Sequence, residues 1–212
     1  LNPPNIKICG ISTPATLDAA IGGRADYVGL VFYPPSPRYL TLAQAADLST
    51  RAAGRIGRVG LFVDASDTVI ADAVSAAKLE ALQLHGDETP QRAAELRARF
   101  GVPVWKVIAV ASAADIARAD AYAGAADLIL FDAKTPKGAL PGGMGLVFDW
   151  ALLNGYRGAL PWGLAGGLSI DNVAEAARIT SAPLVDTSSG VESAPGVKDV
   201  DKIAAFCKAA RL

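Results

Sequence analysis

Eight short apolar, β-branched runs recur along the chain, each followed by an alanine-rich segment of helical period, and this alternation limits the possible folds more than any other feature. The runs are Asn5 to Cys9, Tyr27 to Phe32, Arg58 to Val63, Ala81 to Leu84, Pro103 to Val107, Leu128 to Asp132, Pro161 to Leu164 and Leu184 to Asp186. They begin about 22 to 33 residues apart, the size of one βα unit, and no gap is long enough to hold a second domain. Near-continuous apolar strands belong in a parallel sheet covered by helices. Helix starts are marked by Ser12-Thr13-Pro14, Thr41, Ser66, Thr89-Pro90, Ser112 and Ser169, because a hydroxyl just before a helix accepts one of its orphan amides. Ile203, Phe206, Cys207 and Ala210 share one face of the last helix, which makes Cys207 a small core residue.

Eight strands are too many for a flavodoxin-like sheet, and the G-x-G-x-x-G that a Rossmann sheet carries after its first strand is missing. A closed eight-stranded barrel removes both sheet edges and takes about 250 residues, about 200 at the lower end. The 212-residue chain is therefore predicted to be α/β, a compact (βα)8 TIM barrel forming one domain over residues 1–212. Half of its residues are hydrophobic (51%), enough to bury a core. Twenty basic residues against twenty-one acidic ones, with no basic run, argue against nucleic acid and for a small-molecule partner. Two cysteines make no disulfide framework, which points to a reducing, cytoplasmic setting. No apolar stretch reaches the roughly 18 to 20 residues of a membrane span, and Leu1 to Asn5 show no signal-peptide pattern. His85 is the only histidine, and no Cys-x-x-Cys or His-x-x-x-His pair exists, so neither a metal nor another cofactor is expected. The oligomeric state stays open, with a monomer preferred.

In such a barrel the residues just after each strand converge on one mouth. Here these are Ile8-Cys9-Gly10, Pro34-Pro35-Ser36-Pro37-Arg38, Gln83-Leu84-His85-Gly86, Phe131-Asp132, Leu164-Ala165-Gly166-Gly167 and Asp186-Thr187-Ser188-Ser189-Gly190. Barrels often hold phosphate in the loops after strands seven and eight. Gly166-Gly167, ahead of a helix opening at Ser169, and Ser188-Ser189-Gly190 both suit an anion held by amides and a helix dipole; the alternative is that these glycines only turn the chain. Arg38 is either a two-pronged grip for a carboxylate or a surface arginine. Asp132 is either a carboxyl raised by desolvation to donate a proton or the partner of Lys134 or another cation. Cys9 is either a base or nucleophile at the mouth or a packed hydrophobe, and His85 either lines the site or satisfies a polar position at the rim.

Taken in order, Lys7-Ile8-Cys9-Gly10, Gly29-Leu30-Val31-Phe32 with Ser36-Pro37-Arg38, Gln83-Leu84-His85-Gly86, Gly142-Gly143-Met144-Gly145 with Phe148-Asp149-Trp150, Leu164-Ala165-Gly166-Gly167-Leu168 and Asp186-Thr187-Ser188-Ser189-Gly190-Val191-Glu192 resemble the phosphoribosylanthranilate isomerases over nearly the whole chain. The resemblance implies the Amadori rearrangement of N-(5′-phosphoribosyl)anthranilate to 1-(2-carboxyphenylamino)-1-deoxyribulose 5-phosphate in tryptophan biosynthesis. It further implies Cys9 as general base and Asp132 as general acid, so that Cys9 starts ionised and Asp132 protonated. Arg38 would bind the anthranilate carboxylate, and Gly166, Gly167, Ser188, Ser189 and Gly190 the phosphate. Asp186 would lie near the ribose, and His85, Gly143 and Gly145 would complete the substrate site. The family usually has serine or threonine where this chain has Met144, and a commoner strand-eight turn reads Asp-Val-Ser-Ser. Two rivals remain: a related barrel isomerase of the histidine pathway, which uses aspartate at the end of strand one, and a non-catalytic sugar-phosphate-binding barrel. Cys9 argues against the first, and Cys9 together with Asp132 against the second.

Overall fold

The computed structural model describes residues 3–135 and 143–212. Eight parallel strands close into a barrel in chain order: β1 (Asn5–Cys9), β2 (Tyr27–Val31), β3 (Gly57–Phe62), β4 (Ala81–Leu84), β5 (Val104–Val110), β6 (Leu128–Ala133), β7 (Trp162–Leu164) and β8 (Leu184–Thr187). Pairing of β1 with β8, in which Lys7 stands opposite Asp186, makes the closing seam. All eight expected strands are present; Asn5–Cys9 and Ala81–Leu84 match end to end, and the other ends shift by at most three residues.

Helices α1 (Pro14–Gly22), α2 (Leu42–Ala52), α3 (Asp67–Ala77), α4 (Pro90–Phe100) and the short α5 (Ala113–Ala117) follow the first five strands, and α6 (Val173–Thr180) and α7 (Val200–Ala209) follow β7 and β8. The hydroxyls of Thr13, Thr41, Ser66 and Thr89 each accept an amide of the first turn. At α5 the Asp115 carboxylate accepts from the amides of Ala111 and Ser112. No helix among the described residues is long and apolar enough to cross a membrane.

Three features depart from expectation. The sixth unit has no α-helix among its described residues: Gly143 to Asp149 is irregular and leads into a short 3₁₀ turn at Trp150–Leu153. Gly143 and Gly145, at φ +72° and +69°, disfavour a helix there. Second, α6 does not open at Ser169. That residue belongs to a preceding turn, its amide donating to Asn172 Oδ1 at 2.8 Å, and the helix starts at Val173. Third, a small antiparallel hairpin, β9 (Glu192–Ala194) and β10 (Val197–Lys198), follows β8 and turns at Pro195-Gly196, where Gly196 has φ +80°.

The main core lies between strands and helices, where Ile203, Phe206 and Cys207 are buried as expected. Inside the barrel Val59, Ala81, Trp105, Val107, Leu130 and Leu184 form a separate apolar plug, with Tyr27 edge-on to Trp105 at 5.0 Å between ring centroids. With its interior filled, the barrel leaves room for a ligand above the plug, at the C-terminal strand ends.

Candidate active site

Side chains alternate across a strand, so Lys7 and Cys9 both point into the barrel from β1. Cys9 joins Val31 and Leu61 in an apolar layer above the plug and is 5% exposed. Gly29 on the neighbouring strand leaves the thiol its space, since a Cβ there would lie 2.7 Å from the Cys9 sulfur. Lys7, wholly buried, donates from Nζ to Asp186 Oδ2 at 2.8 Å across the seam. Burial disfavours the Lys7 ammonium, but Asp186 and Cys9 together outweigh it and hold the lysine above its ordinary range. Burial also pushes Asp186 up against the opposing pull of Lys7, so the ammonium is the firmly protonated member and Asp186 accepts from it. The other oxygen of Asp186, Oδ1, has no hydrogen-bond partner among the described residues. Burial likewise pushes the Cys9 thiol up, with Lys7 and then Lys198 among the groups pulling it down. Burial thus opposes ionisation of Cys9, which runs against a base that starts ionised.

Across the mouth, Asp132 points inward from β6 and is 8% exposed. Its Oδ2 lies 3.2 Å from His85 Nε2, and its Oδ1 accepts from the Ala133 amide at 2.7 Å. His85 Nδ1 in turn lies 3.3 Å from Gln83 Nε2. Lys134 turns away, 3.7 Å from Asp115, so it is not the partner of Asp132. Gly166, at φ +85°, passes so close that a Cβ would lie 2.7 Å from Asp132 Oδ1. Only glycine fits both that backbone and that approach.

Arg38 is not a free surface arginine. Its side chain is 11% exposed, and Nε and Nη2 donate to the two oxygens of Glu192 at 2.7 and 2.8 Å. Lys198 Nζ donates to Glu192 Oε1 at 2.5 Å and also to the carbonyl and hydroxyl oxygens of Ser188, at 3.1 and 3.2 Å. Burial pushes Glu192 up, but Arg38 and Lys198 together hold its carboxyl below the usual range.

One cleft is lined by Cys9, Arg38, His85, Asp132 and Asp186 together with Gly143, Gly145, Gly166, Gly167, Ser188 and Ser189. Gly142 lies outside the described residues. Gly190 does not line the cleft; a Cβ there would lie 2.0 Å from the Leu168 carbonyl, so it lets the β7 and β8 loops pack together. Thr187 ties the same loops by donating to Leu168 O at 2.7 Å. With α6 starting at Val173, its dipole is not aimed from Ser169, and the turns expected to take the anion offer loop atoms only. Met144 lines the cleft while half exposed.

Residues 6–209 match the family model described as N-(5′-phosphoribosyl)anthranilate (PRA) isomerase. The chain belongs to this isomerase family. It is 55% identical over 210 residues to the N-(5′-phosphoribosyl)anthranilate isomerase of Paramagnetospirillum magneticum, covering 99% of this chain and 98% of that one. The crystal structure of phosphoribosyl anthranilate isomerase from Thermotoga maritima superposes with a TM-score of 0.87 at 37% identity, covering 98% of both chains. A phosphoribosyl anthranilate isomerase in complex with reduced 1-(o-carboxyphenylamino)-1-deoxyribulose 5-phosphate is similar at a TM-score of 0.85 and 35% identity, again over 98% of both chains.

Four charged or polar residues of the site went unassigned in the sequence: Lys7, Gln83, Glu192 and Lys198. Lys7 and Gln83 had a usable signal, since each lies two positions before an assigned residue, Cys9 or His85, and so shares its inward face. Lys198 had only a hairpin that composition did not announce.

Proposed function

We propose that this isomerase carries out the Amadori rearrangement of N-(5′-phosphoribosyl)anthranilate to 1-(2-carboxyphenylamino)-1-deoxyribulose 5-phosphate, the tryptophan-pathway step, with Asp132 as acid and Cys9 as base. The phosphate sits among Gly166, Gly167, Ser188 and Ser189, the anthranilate carboxylate meets Arg38, and the unpartnered Oδ1 of Asp186 takes a ribose hydroxyl. Asp132 protonates the ring oxygen and the C1′–O bond breaks, leaving an iminium at C1′. The Cys9 thiolate then removes the C2′ proton, the C–H electron pair forms the C1′–C2′ double bond, and the iminium electrons return to nitrogen. Ketonisation of the resulting enolamine places a proton on C1′ and releases one from the C2′ hydroxyl. At the end Asp132 is a carboxylate and Cys9 a thiol, and exchange with solvent returns one proton from sulfur to Asp132.

A raised thiol pKa has two opposed effects. It makes the thiolate scarcer and also more basic toward a carbon acid. Lys7 and Lys198 limit the scarcity without removing the basicity. His85, beside the acid, orients the carboxyl; Gly143, Gly145 and Met144 cover the substrate from the β6 loop. The observation that carries this reading is the convergence of Cys9 and Asp132 on one cleft that also holds an arginine and two glycine- and serine-rich turns. The test is fluorescence-monitored consumption of freshly made phosphoribosylanthranilate. Cys9→Ser should lower kcat by about a hundredfold or more, and near-wild-type turnover of that variant would remove Cys9 from the chemistry. We further infer a cytoplasmic, monomeric protein whose residues 1–212 form one catalytic domain; sedimentation at micromolar concentration tests the monomer.

A further inference from the structure

A guanidinium has a side edge, Nε with one Nη, and an end edge made by the two Nη groups. In Arg38 the side edge is fully used by Glu192, and the Nη1/Nη2 end, whose Nη2 makes only a long hydrogen bond of 3.5 Å to the Gly143 carbonyl, is the edge a substrate carboxylate can meet by displacing it. The whole arrangement is braced. The Arg38 stem lies over Gly10, where a Cβ would be 2.6 Å from Cδ, and the Arg38 amide donates to Ser36 Oγ at 3.2 Å. The β9–β10 turn packs on the same loop, a Cβ at Gly196 lying 2.7 Å from the Pro37 carbonyl. Lys198 anchors Glu192 and reaches Ser188 in the proposed phosphate turn. Two cations and one carboxylate leave the cluster with a net positive charge and a fixed direction.

We propose that Glu192, held by Lys198, is a positioning residue that presents the Nη1/Nη2 edge of Arg38 to the substrate carboxylate and so sets the preference for a carboxylated aniline. The role rests on the assignment of Arg38 to that carboxylate. An arginine side chain loses much rotamer freedom when it is ordered, and ordering it before substrate arrives removes that cost from binding. The hairpin after β8 is thus a specificity element.

Two substrates separate the possibilities: phosphoribosylanthranilate and its carboxylate-free analogue, N-(5′-phosphoribosyl)aniline. Glu192→Asp keeps every charge and shortens only the reach. It should raise KM for the carboxylated substrate about tenfold, change kcat less than about threefold, and leave kcat/KM for the analogue unchanged. Glu192→Gln keeps size and gives a second reading of opposite sign. A positioning residue predicts a higher KM, whereas a residue that merely balances charge predicts a lower one, because a positive charge is uncovered. Inhibition by inorganic phosphate should be unchanged in Glu192→Asp, which keeps every charge. Equal losses on the two substrates, or an unchanged KM in Glu192→Asp, overturn the proposal. Arg38→Lys is the control: if it keeps the discrimination between the two substrates, it is the assignment of Arg38 that fails, and the two failures are told apart.

Discussion

The two walls of the mouth are built on different principles. The Cys9 wall, formed by β1, β8 and the hairpin, is dense with buried charge: Lys7 on Asp186, and Lys198 and Arg38 on Glu192. On the Asp132 wall, among the described residues, the carboxyl has beside it one imidazole at 3.2 Å and a backbone amide at 2.7 Å, with the buried Lys106–Glu88 pair reached from the neighbouring strand β5. A thiol sunk in an apolar layer needs nearby cations if it is ever to ionise, whereas a carboxyl that must give up a proton needs the opposite, a setting with few cations that keeps it protonated until the substrate takes the proton. The base is thus costly to install and bound up with the scaffold, and the acid is a local fixture.

If that contrast is right, the largest effect comes from the first wall and falls on stability. Lys7→Met leaves the Asp186 carboxylate buried without its partner and should cost about 3–5 kcal/mol in urea unfolding, with much of it recovered in the Lys7→Met/Asp186→Leu double variant. Two simple additive losses would show that the pair is not coupled. On the second wall, Asp132→Asn should reduce kcat by roughly a hundredfold, with unfolding free energy and product-analogue affinity nearly unchanged; a large loss of stability there would erase the distinction between the walls.

The pH dependence of Cys9 sharpens the comparison further. Because burial raises the thiol, its reaction with iodoacetamide, measured in a Cys207→Ser background, should keep rising about tenfold per pH unit past the range where an ordinary cysteine, of pKa about 8.5, levels off. A plateau near neutrality would mean that Lys7 and Lys198 outweigh burial and the thiolate is the resting form. Burial pushes Cys207 to about 11, so that thiol adds little to the reaction at moderate pH even where it is retained. The smallest effect is expected at the rim. Met144→Ser restores the hydroxyl usual at this position and should lower KM by about twofold to fivefold with kcat unchanged; identical constants would make the β6 loop residue irrelevant to binding.

The barrel was legible because each strand is an apolar run and its helices carry hydroxyl caps, signals that are local and repeated. Cys9, Asp132, Arg38 and the β7 and β8 loops followed, since strand ends in a barrel converge whatever their spacing. What escaped notice depends on partners distant in sequence. Glu192 gave no sign that it would seize Arg38, 154 positions away, and a hairpin of three and two residues around Pro195-Gly196 is too short for periodicity to reveal. The resting state of Cys9 was equally hidden, because desolvation belongs to the folded environment and not to the residue. Ser169 misled as a helix start because Asn172 captures its amide and delays the helix by one turn.

The Lys7–Asp186 contact joins strands 179 positions apart at the seam where the sheet closes. Long-range pairings of this kind form late, after the intervening chain has been brought to order. On the ribosome the first strand therefore emerges long before its last neighbour exists, and a half-made barrel holds Cys9 and Lys7 without the Asp186 and Lys198 that complete their charge environment. The chemistry switches on only when the ring is complete, so a truncated or incompletely folded chain carries the sulfur with only part of its control.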